Sequence, residues 1–556
     1  MKAPYKVLFS NDTTGLSNCK SPYNPHPAFK QDEATGEWIY NEVGFSKEIL
    51  EASVDETAGQ GIDVHLLQPG VGWVPWWKSR VYPFAEHIEF MKERTGMDPS
   101  VNAFAKFMAD GGDMVDVFVN RCRNKKLTPF ISMRLNDSHG HEYLLAEPKD
   151  IPSHAWHCFS KIHIEHPDWR ISRDIADWNG RVLNWAIPEV VDFKYSYIEE
   201  ICEQYDIDGF ELDFMRHNRF FDETVTPLAE RRRIMNAFIR RVRMLLDRTA
   251  KAGRRRWLCV RVPAYLKLYD DLGIHLPDFV REGVDMVNAS YSFFTEQQGD
   301  IGEIRTMIPE ASLYVEMCHT TSMVNWRTKI GYDAIAYRRT TARQYWTTAH
   351  LAYARGADGM STFNFQYYRE HGTGPRGPFH EPPFSMHKKL GDPSALASEP
   401  QHNFIGATWY DWAAPSRQLD HRGKISTFLP GETKRFELAM APPKGGWKKG
   451  GILRIQSPVS FDSAEWDAVY NGVKLARTDE RGEPYDNPYP NLLGDNEMHR
   501  AFILPASVLR DGFNTVDITY VDRSRSTAAL NPMITPSVTD KKAEAAYLSF
   551  IDAAVE

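Results

Sequence analysis

This chain of 556 residues has no long apolar run, no excess of basic over acidic residues and no closely spaced pair of cysteines. No segment approaches the roughly 20 consecutive apolar residues that a membrane-spanning helix needs, so the sequence predicts no membrane span. The net charge is -8 and the pI is about 6.2, which argues against a nucleic-acid-binding protein with a basic surface. The six cysteines form no CxxC pair, and we predict buried reduced thiols rather than a disulfide framework.

The first residues, MKAPYKVLFSND, lack the apolar core of a signal peptide. We therefore expect a cytoplasmic protein, or an exported one whose signal peptide is not part of this sequence. The length predicts two or three domains, and one large barrel with an accessory domain also fits.

Short apolar strands alternate with longer helical stretches over the first two thirds of the chain. Eight strand candidates end in polar residues, at 5–12, 62–70, 127–137, 207–214, 256–264, 284–292, 312–319 and 358–365. This order predicts a (β/α)8 TIM barrel over residues 1–395. Short alternating runs between Gly, Pro and Asp turns then predict an antiparallel β-sandwich over 396–556, and the last residues, TDKKAEAAYLSFIDAAVE, predict a final helix.

Alternation within the strands selects the side chains that face the barrel interior. With the apolar face turned toward the helices, polar residues collect inside the C-terminal ends of the strands. The predicted inward residues are Ser10, Asp12, Arg134, Asn136, Glu211, Asp213, Cys259, Arg261, Asn288, Ser290, Tyr314, Glu316, Thr362 and Asn364. In barrels of this kind that end carries the active site.

Two acidic residues lie on strands that should face each other across the barrel, and such a pair suggests hydrolysis of a glycosidic bond. Asp213 ends the fourth strand and Glu316 the seventh, so they should face one another, as glycoside hydrolysis requires of its carboxyl pair. Glu211 lies two residues deeper, where we expect it to pair with Arg134 or Arg261 rather than to react. The alternative is that the two acids are salt-bridged core residues.

Three arginines surround the same mouth, namely Arg134, Arg261 and Arg216, with His217 beside the last. Their planar guanidinium groups suit a carboxylate or a sulfate, which would make the substrate an anionic glycan. Neutralisation of the site's own acids explains them equally well, and both alternatives stay open.

Further substrate contacts are expected from Asp12, Asn136, Tyr291 and Asn364. The run VGWVPWWKSR offers Trp73, Trp76 and Trp77 as a sugar-stacking platform, with a packed loop as the alternative.

A histidine-rich stretch after the third strand contains His154, His157, His163 and His166. Its spacing matches no standard zinc site, and we predict neither a metal nor another cofactor.

The segment LNWAIPEVVDFKYSYIEEICEQYDIDGFELDF, with HPDW upstream, resembles the fourth-strand region of the glycoside-hydrolase-like family ten barrels. The resemblance covers about fifty residues, matches Asp208, Gly209, Glu211 and Asp213, and implies a barrel glycosidase. The stretch FILPASVLRDGFNTVDITYV resembles the closing strands of galactose-binding-like sandwiches attached to many glycosidases.

Two other families give partial matches. GFELDFMRH is similar to the second conserved region of the alpha-amylase family, where Asp213 would be the nucleophile, but Arg261 stands where that family has its acid. It also resembles the family 18 chitinase pattern through Asp208, Glu211 and Asp213. Met215 stands at the position where that pattern has its catalytic acid. The layout with acids on strands four and seven is similar to that of a large clan of retaining glycosidases. This resemblance implies Asp213 as acid/base and Glu316 as nucleophile, and the two roles stay exchangeable.

The sequence therefore predicts a glycoside hydrolase that cleaves a complex poly- or oligosaccharide and binds neither nucleic acid nor membrane. Two alternatives remain. One is a carbohydrate-binding barrel without turnover. The other is a polysaccharide lyase in which Tyr291 or Tyr314 abstracts a proton beside Arg134 or Arg261.

Overall fold

The fold is taken from a computed structural model of the chain. It describes residues 2–12, 21, 29–31, 38–40, 46–174, 180–325, 336–369, 382–406, 427–456, 465–480, 499–522, 546–547 and 550–555.

Eight parallel strands close into a barrel in sequence order, each hydrogen-bonded to the next and the eighth to the first. They are β1 Val7–Asn11, β2 Val64–Leu67, β3 Thr128–Arg134, β4 Gly209–Asp213, β5 Trp257–Pro263, β6 Met286–Ser290, β7 Ser312–Cys318 and β8 Gly359–Phe363. All eight predicted strands are present, and the (β/α)8 barrel is confirmed.

The lumen is apolar at its N-terminal end and polar at its C-terminal end. The apolar layer contains Leu8, Leu66, Phe130 and Met286. Above it, side-chain hydrogen bonds across the interior join residues of β3, β4, β5, β6, β7 and β8, and Arg134 of β3 also contacts Asp12, one residue beyond β1. These contacts confirm the predicted inward face of β4 to β7.

The predicted inward face of β8 is wrong. Ser361 reaches Asn288 across the lumen, and the ring of Phe363 lies 4.2 Å from the guanidinium carbon of Arg261. Because successive side chains alternate, Thr362 belongs to the opposite face, and Asn364 follows the end of the strand. Every residue of this short strand is buried, so hydrophobicity did not distinguish its two faces.

Helices separate the strands and follow the last one. The α-helices are Lys47–Asp55, Phe84–Thr95, Ala103–Ala109, Met114–Asn124, Ile162–Glu165, Pro188–Gln204, Leu228–Thr249, Tyr269–Leu272, Leu276–Arg281, Ile301–Met307, Ala342–Ala354, His387–Leu390 and Pro393–Leu396. Short hairpins pair Phe29–Gln31 with Trp38–Tyr40, Gly70–Val71 with Val74–Pro75, and Thr320–Asn325 with Ala336–Arg339.

The helix Pro188–Gln204 shows why this region folds as it does. Proline in the first turn suits a helix start, because its missing N–H would have no partner there. Val190, Tyr197 and Ile201 recur at helical spacing and are buried. Lys194 lies on the same buried face, where an apolar residue would be expected.

Two antiparallel sheets form the predicted β-sandwich. In sheet order, one contains Gln401–Gly406, Phe550–Val555, Gly451–Gln456, His499–Leu504 and Arg477–Thr478, and the other contains Thr433–Met440, Gly512–Asp522, Glu465–Tyr470 and Val473–Lys474. Leu453 and Phe502 of the first sheet share one core with Leu438 and Trp466 of the second. A two-stranded sheet pairs Thr427–Phe428 with Ala546–Tyr547.

The predicted final helix is wrong, since Phe550–Val555 is a strand between two neighbours of its sheet. Asp552 in this strand is buried and forms ion pairs with Arg454 and His402 of the neighbouring strands. These ion pairs stabilise the strand, and they could not be read from the spacing of apolar residues in the sequence.

Contacts divide the chain into two compact units. The first comprises Met1–Ser292, Asp300–Glu316 and Ala357–Gln366, and the second Phe293–Gly299, Met317–Gly356 and Tyr367–Glu556. The domain boundary at residue 395 stays a prediction.

Two sequence-based expectations also concern the fold. Among the described helices, none is long and apolar enough to cross a membrane. Cys122, Cys158, Cys202, Cys259 and Cys318 are buried free thiols, and Cys19 lies outside the described residues.

Candidate active site

One buried arginine organises the polar end of the barrel. Arg261 on β5 donates from Nη1 to both carboxylate oxygens of Asp213, each at 3.0 Å. Its Nε and Nη2 donate to the two oxygens of Glu316, at 2.8 and 2.6 Å. Arg261 is 2 % exposed, and the two acids are 0 and 1 % exposed. The predicted acids of strands four and seven are therefore brought to the same site, on two sides of one guanidinium group.

Each acid also accepts hydrogen bonds from neutral groups. The side chain of Gln68 and the backbone N–H of Met215 donate to Asp213, at 3.0 and 2.8 Å. Ser290 and Asn288 donate to Glu316, at 2.6 and 3.1 Å. These donors fix the orientation of the two carboxylates beside Arg261.

Glu211 lies deeper and has neutral partners. Its carboxyl accepts from Ser132 at 2.7 Å, from Asn288 at 3.2 Å and from the Cys259 thiol at 3.4 Å. No ion pair joins it to an arginine within the described chain, so the expected pairing with Arg134 or Arg261 is wrong. Burial, reinforced by the negative charge of Asp213, raises the pKa of Glu211 to about 7.

Arg134 forms a second ion-paired group on the other side of the mouth. Its Nη2 donates to Asp12 at 2.9 Å and its Nη1 to Asp137 at 3.3 Å. Arg134 and Arg261 thus both neutralise acids of the protein, which is the second of the two roles considered for them.

Asp137 connects this group to two histidines. His139 Nδ1 lies 2.5 Å from its Oδ1, and His217 Nδ1 lies 3.3 Å from the same oxygen. Although burial acts to raise it, the histidines and Arg134 hold the pKa of Asp137 well below its usual range. Burial lowers the pKa of His217 to about 3.

Potential ligand atoms of Asp137, His139 and His217 lie within 4.8 Å of one another, a spacing compatible with a metal ion. However, Arg216 Nη2 lies 2.9 Å from His139 Nε2, and the N–H of Ser138 donates to His217 Nδ1 at 3.0 Å. These contacts occupy the ligand atoms, and the adjacent positive charge of Arg216 opposes a cation. The geometry therefore favours a hydrogen-bonded network over a metal centre.

The histidines that the sequence singles out are not members of this group of potential ligands. None of His154, His157, His163 and His166 belongs to a group of three potential ligands in the described part of the chain. His166 stacks on Trp169 with a centroid distance of 3.7 Å, and His163 accepts from the N–H of Ser160.

Other predicted contact residues have structural partners. Asn136 donates to the carbonyls of Leu183 and Arg219, at 2.8 and 2.7 Å, and accepts from the N–H of Leu183. It therefore joins two loops. Tyr291 is buried, with its ring 5.7 Å from that of Tyr265.

Tyr314 and Asn364 lie at different ends of the barrel. The Tyr314 hydroxyl donates to the carbonyl of Tyr5, before β1, which places it at the N-terminal end and away from the acids. Asn364 follows β8 with a φ of 52°, and its Oδ1 accepts no hydrogen bond from any described residue.

The tryptophan-containing loop forms the wall of a cleft at the mouth. Trp73 and Trp77 line this cleft together with Gln68, Pro69, Gly70, Val71, Gly72, Val74, Pro75, Ser132, Met133, Arg134, Asp137, Lys194 and Tyr197. Trp76 does not line it: its ring packs 4.4 Å from Phe104 and 5.8 Å from Trp156. Trp76 is therefore a core residue rather than part of a sugar platform.

Sequence reasoning missed several residues of the site. Gln68 lies one residue beyond β2 and contacts Asp213, but its strand showed no polar pattern. Asp137 and His139 lie in the loop after β3, where alternation no longer applies. Lys194 lies on a helix, and its single charge within an apolar face was the available signal.

No protein-family model matches the chain, and no curated protein sequence does. The resemblance to family ten barrels accordingly stays a prediction.

Solved structures do align with the chain, at low identity. Alpha-L-fucosidase isoenzyme 1 from Paenibacillus thiaminolyticus is 11 % identical over 93 % of this chain and 97 % of its own, with a TM-score of 0.36. An alpha-L-fucosidase GH29 from Bacteroides thetaiotaomicron is 9 % identical over 94 % of each chain, with a TM-score of 0.34. The GH20 beta-N-acetylhexosaminidase from Streptomyces coelicolor A3(2) is 12 % identical over 71 % of this chain and 61 % of its own, also at 0.34.

The raised pKa of Glu211 predicts how stability depends on pH. The folded state keeps the proton that the unfolded chain releases near pH 4.5, so this contribution is complete below that pH and is lost as the pH rises through about 7. The total loss is about 3 kcal/mol. In Glu211→Gln, which keeps the shape and cannot ionise, the unfolding free energy should depend less on pH between 5 and 8. Urea unfolding at several pH values measures this, and an unchanged slope would contradict the assignment.

Proposed function

We propose that the protein is a glycoside hydrolase that uses Asp213 and Glu316 as its carboxyl pair. The observation that carries the proposal is the joint placement of these acids at the C-terminal ends of β4 and β7, held by one guanidinium group. Cleavage of a glycosidic bond needs one carboxyl group to protonate the leaving oxygen and another to attack or to activate water. By strand position, Asp213 is the acid/base and Glu316 the nucleophile.

The cleft supplies a route to these acids. Gln68 lines the cleft and donates to Asp213, so a sugar bound there would approach Asp213 from the Gln68 side. The wall of tryptophan, tyrosine, valine and proline side chains suits the apolar faces of sugar rings. A complex glycan whose chain passes the Gln68 side of the cleft is the substrate class that we propose.

Arg261 has a definite part in this scheme. Its guanidinium group forms ion pairs with both acids in the absence of substrate. An acid/base must carry a proton when the leaving group departs, so substrate has to displace at least one of the two contacts to Arg261 before cleavage.

A carbohydrate-binding barrel without turnover is the second candidate. The observation that favours it is the burial of both acids against Arg261, which satisfies their charges internally. The lyase alternative that uses Tyr314 has no support, because that hydroxyl lies at the opposite end of the barrel.

Product analysis distinguishes these candidates. After incubation with neutral, uronate-containing and sulfated polysaccharides, a hydrolase releases new reducing ends without near-ultraviolet absorbance. An unsaturated, absorbing product would instead indicate lyase action. Binding without any product across the panel would favour the non-catalytic barrel and contradict the proposal.

Replacement of either acid tests its role. Asp213→Asn and Glu316→Gln should each lower turnover about a hundredfold or more, the usual effect of removing an acid/base or a nucleophile. Both variants should also lose stability, since each leaves Arg261 with one charged partner instead of two.

Asp552→Asn is the matched control for this loss of stability. Asp552 is equally buried and ion-paired, with Arg454, but it belongs to the β-sandwich. The control should lose stability and keep full activity per folded molecule. An acid variant that keeps more than about a tenth of wild-type turnover would remove that residue from the mechanism.

A further inference from the structure

The cleft at the barrel mouth contains a buried cation that pairs with no acid of the described chain. Lys194, on the helix Pro188–Gln204, is 5 % exposed. Its Nζ lies 4.0 Å from the ring centroid of Trp73 and 5.8 Å from that of Tyr197. No described residue forms a hydrogen bond or an ion pair with it. The ammonium group therefore faces aromatic rings and the open cleft.

The arginines of the barrel differ in this respect. Arg261 and Arg134 each contact two carboxylates of the protein. A substrate anion would have to compete with those internal acids for either guanidinium group. Lys194 forms no ion pair with any described residue, although Asp137 of the same cleft acts on it through its charge.

An unpaired ammonium group in a buried position is costly, because burial removes its hydration. Burial lowers the pKa of Lys194 to about 7, and the charge of Asp137 acts in the opposite direction. A bound carboxylate or sulfate would replace the lost hydration and keep the amine charged. The same site would gain little from a neutral ligand.

The backbone of Trp73, whose ring contacts Lys194, is in a strained conformation. Gly72 and Trp73 are the two loop residues of the hairpin that pairs Val71 with Val74, and their φ values are 60° and 82°. A turn with two positive φ values favours glycine or asparagine, and a bulky residue there is an outlier. The Trp73 indole packs against Lys194 and donates to the carbonyl of Asp137 at 3.1 Å. Strain of this kind clusters at ligand sites.

We propose that Lys194 binds a carboxylate or sulfate group of the substrate within this cleft, an inference that rests on the proposed function. Gln68 and Arg134 line the same cleft, and Gln68 also contacts Asp213. A substrate whose anionic group reaches Lys194 would thus extend toward the carboxyl pair. Lys194 determines specificity: it selects acidic glycans over neutral ones of the same shape.

Calorimetric binding of matched sugars tests the proposal without turnover. The acidic ligands are D-glucuronate, D-galacturonate and D-glucose 6-sulfate, and the neutral ligands are D-glucose and D-galactose. The wild-type protein should bind at least one acidic ligand more tightly than its neutral counterpart. Lys194→Met, which keeps the length and loses the charge, should weaken that binding about tenfold to a hundredfold.

Two further variants serve as controls. Lys194→Arg keeps the charge and should retain most of the preference for the acidic ligand. Lys78→Met removes an exposed charge from the loop beside the cleft and should leave both affinities unchanged. Equal wild-type affinity for acidic and neutral ligands, no binding of any acidic ligand, or an unchanged affinity in Lys194→Met would each overturn the inference.

Failure of the anion site and failure of the proposed hydrolase function give different results. If charge-dependent binding at Lys194 is found but no polysaccharide is cleaved, the anion site stands and hydrolysis fails. If polysaccharides are cleaved without any preference for acidic ligands, hydrolysis stands and the anion site fails.

Discussion

The ion pairs of Arg261 are the interaction on which the barrel's polar end depends. A guanidinium group excluded from water is stable only when its charge and its donors are matched, and Asp213 and Glu316 supply both. The reverse also holds, because two carboxylates in one lumen would repel each other without the arginine. A third acid, Glu211, is buried below them with neutral hydrogen-bond partners, and burial raises its pKa to about 7. The polar end of the lumen thus combines one arginine, the two carboxylates that pair with it and one deeper glutamate whose pKa is raised.

The ion pairs of Arg261 determine where the charged groups of the site lie. Asp213 and Glu316 are held in position by Arg261, and Gln68, which lines the cleft, donates to Asp213. The positive charge that a substrate anion would meet lies elsewhere, on Lys194, which contacts aromatic rings and forms no ion pair with a described acid. Acids for bond cleavage and a cation for substrate selection are therefore separate, which avoids competition between them.

Much of this arrangement was predictable from the sequence. Eight strands with polar C-terminal ends indicated the barrel, and alternation placed Glu211, Asp213, Arg261 and Glu316 in one lumen, because a period of two is read directly from residue order. Alternation failed at β8, where every residue is buried and both faces look alike. Sequence also gave no distances, so the choice between an arginine that binds substrate and one that neutralises acids needed the structure. Gln68, Asp137 and Lys194 lie in loops or on a helix, where strand periodicity carries no information.

The central claim is that Asp213 and Glu316 act directly on the glycosidic bond, and azide rescue tests it most directly. In Asp213→Ala or Glu316→Ala, loss of the carboxylate leaves a space beside Arg261 that a small anion can fill. With a substrate identified in the product analysis, sodium azide should restore turnover to at least one variant and yield a glycosyl azide. If azide changes neither the rate nor the product of either variant, the two acids serve only to hold Arg261, and the claim is contradicted.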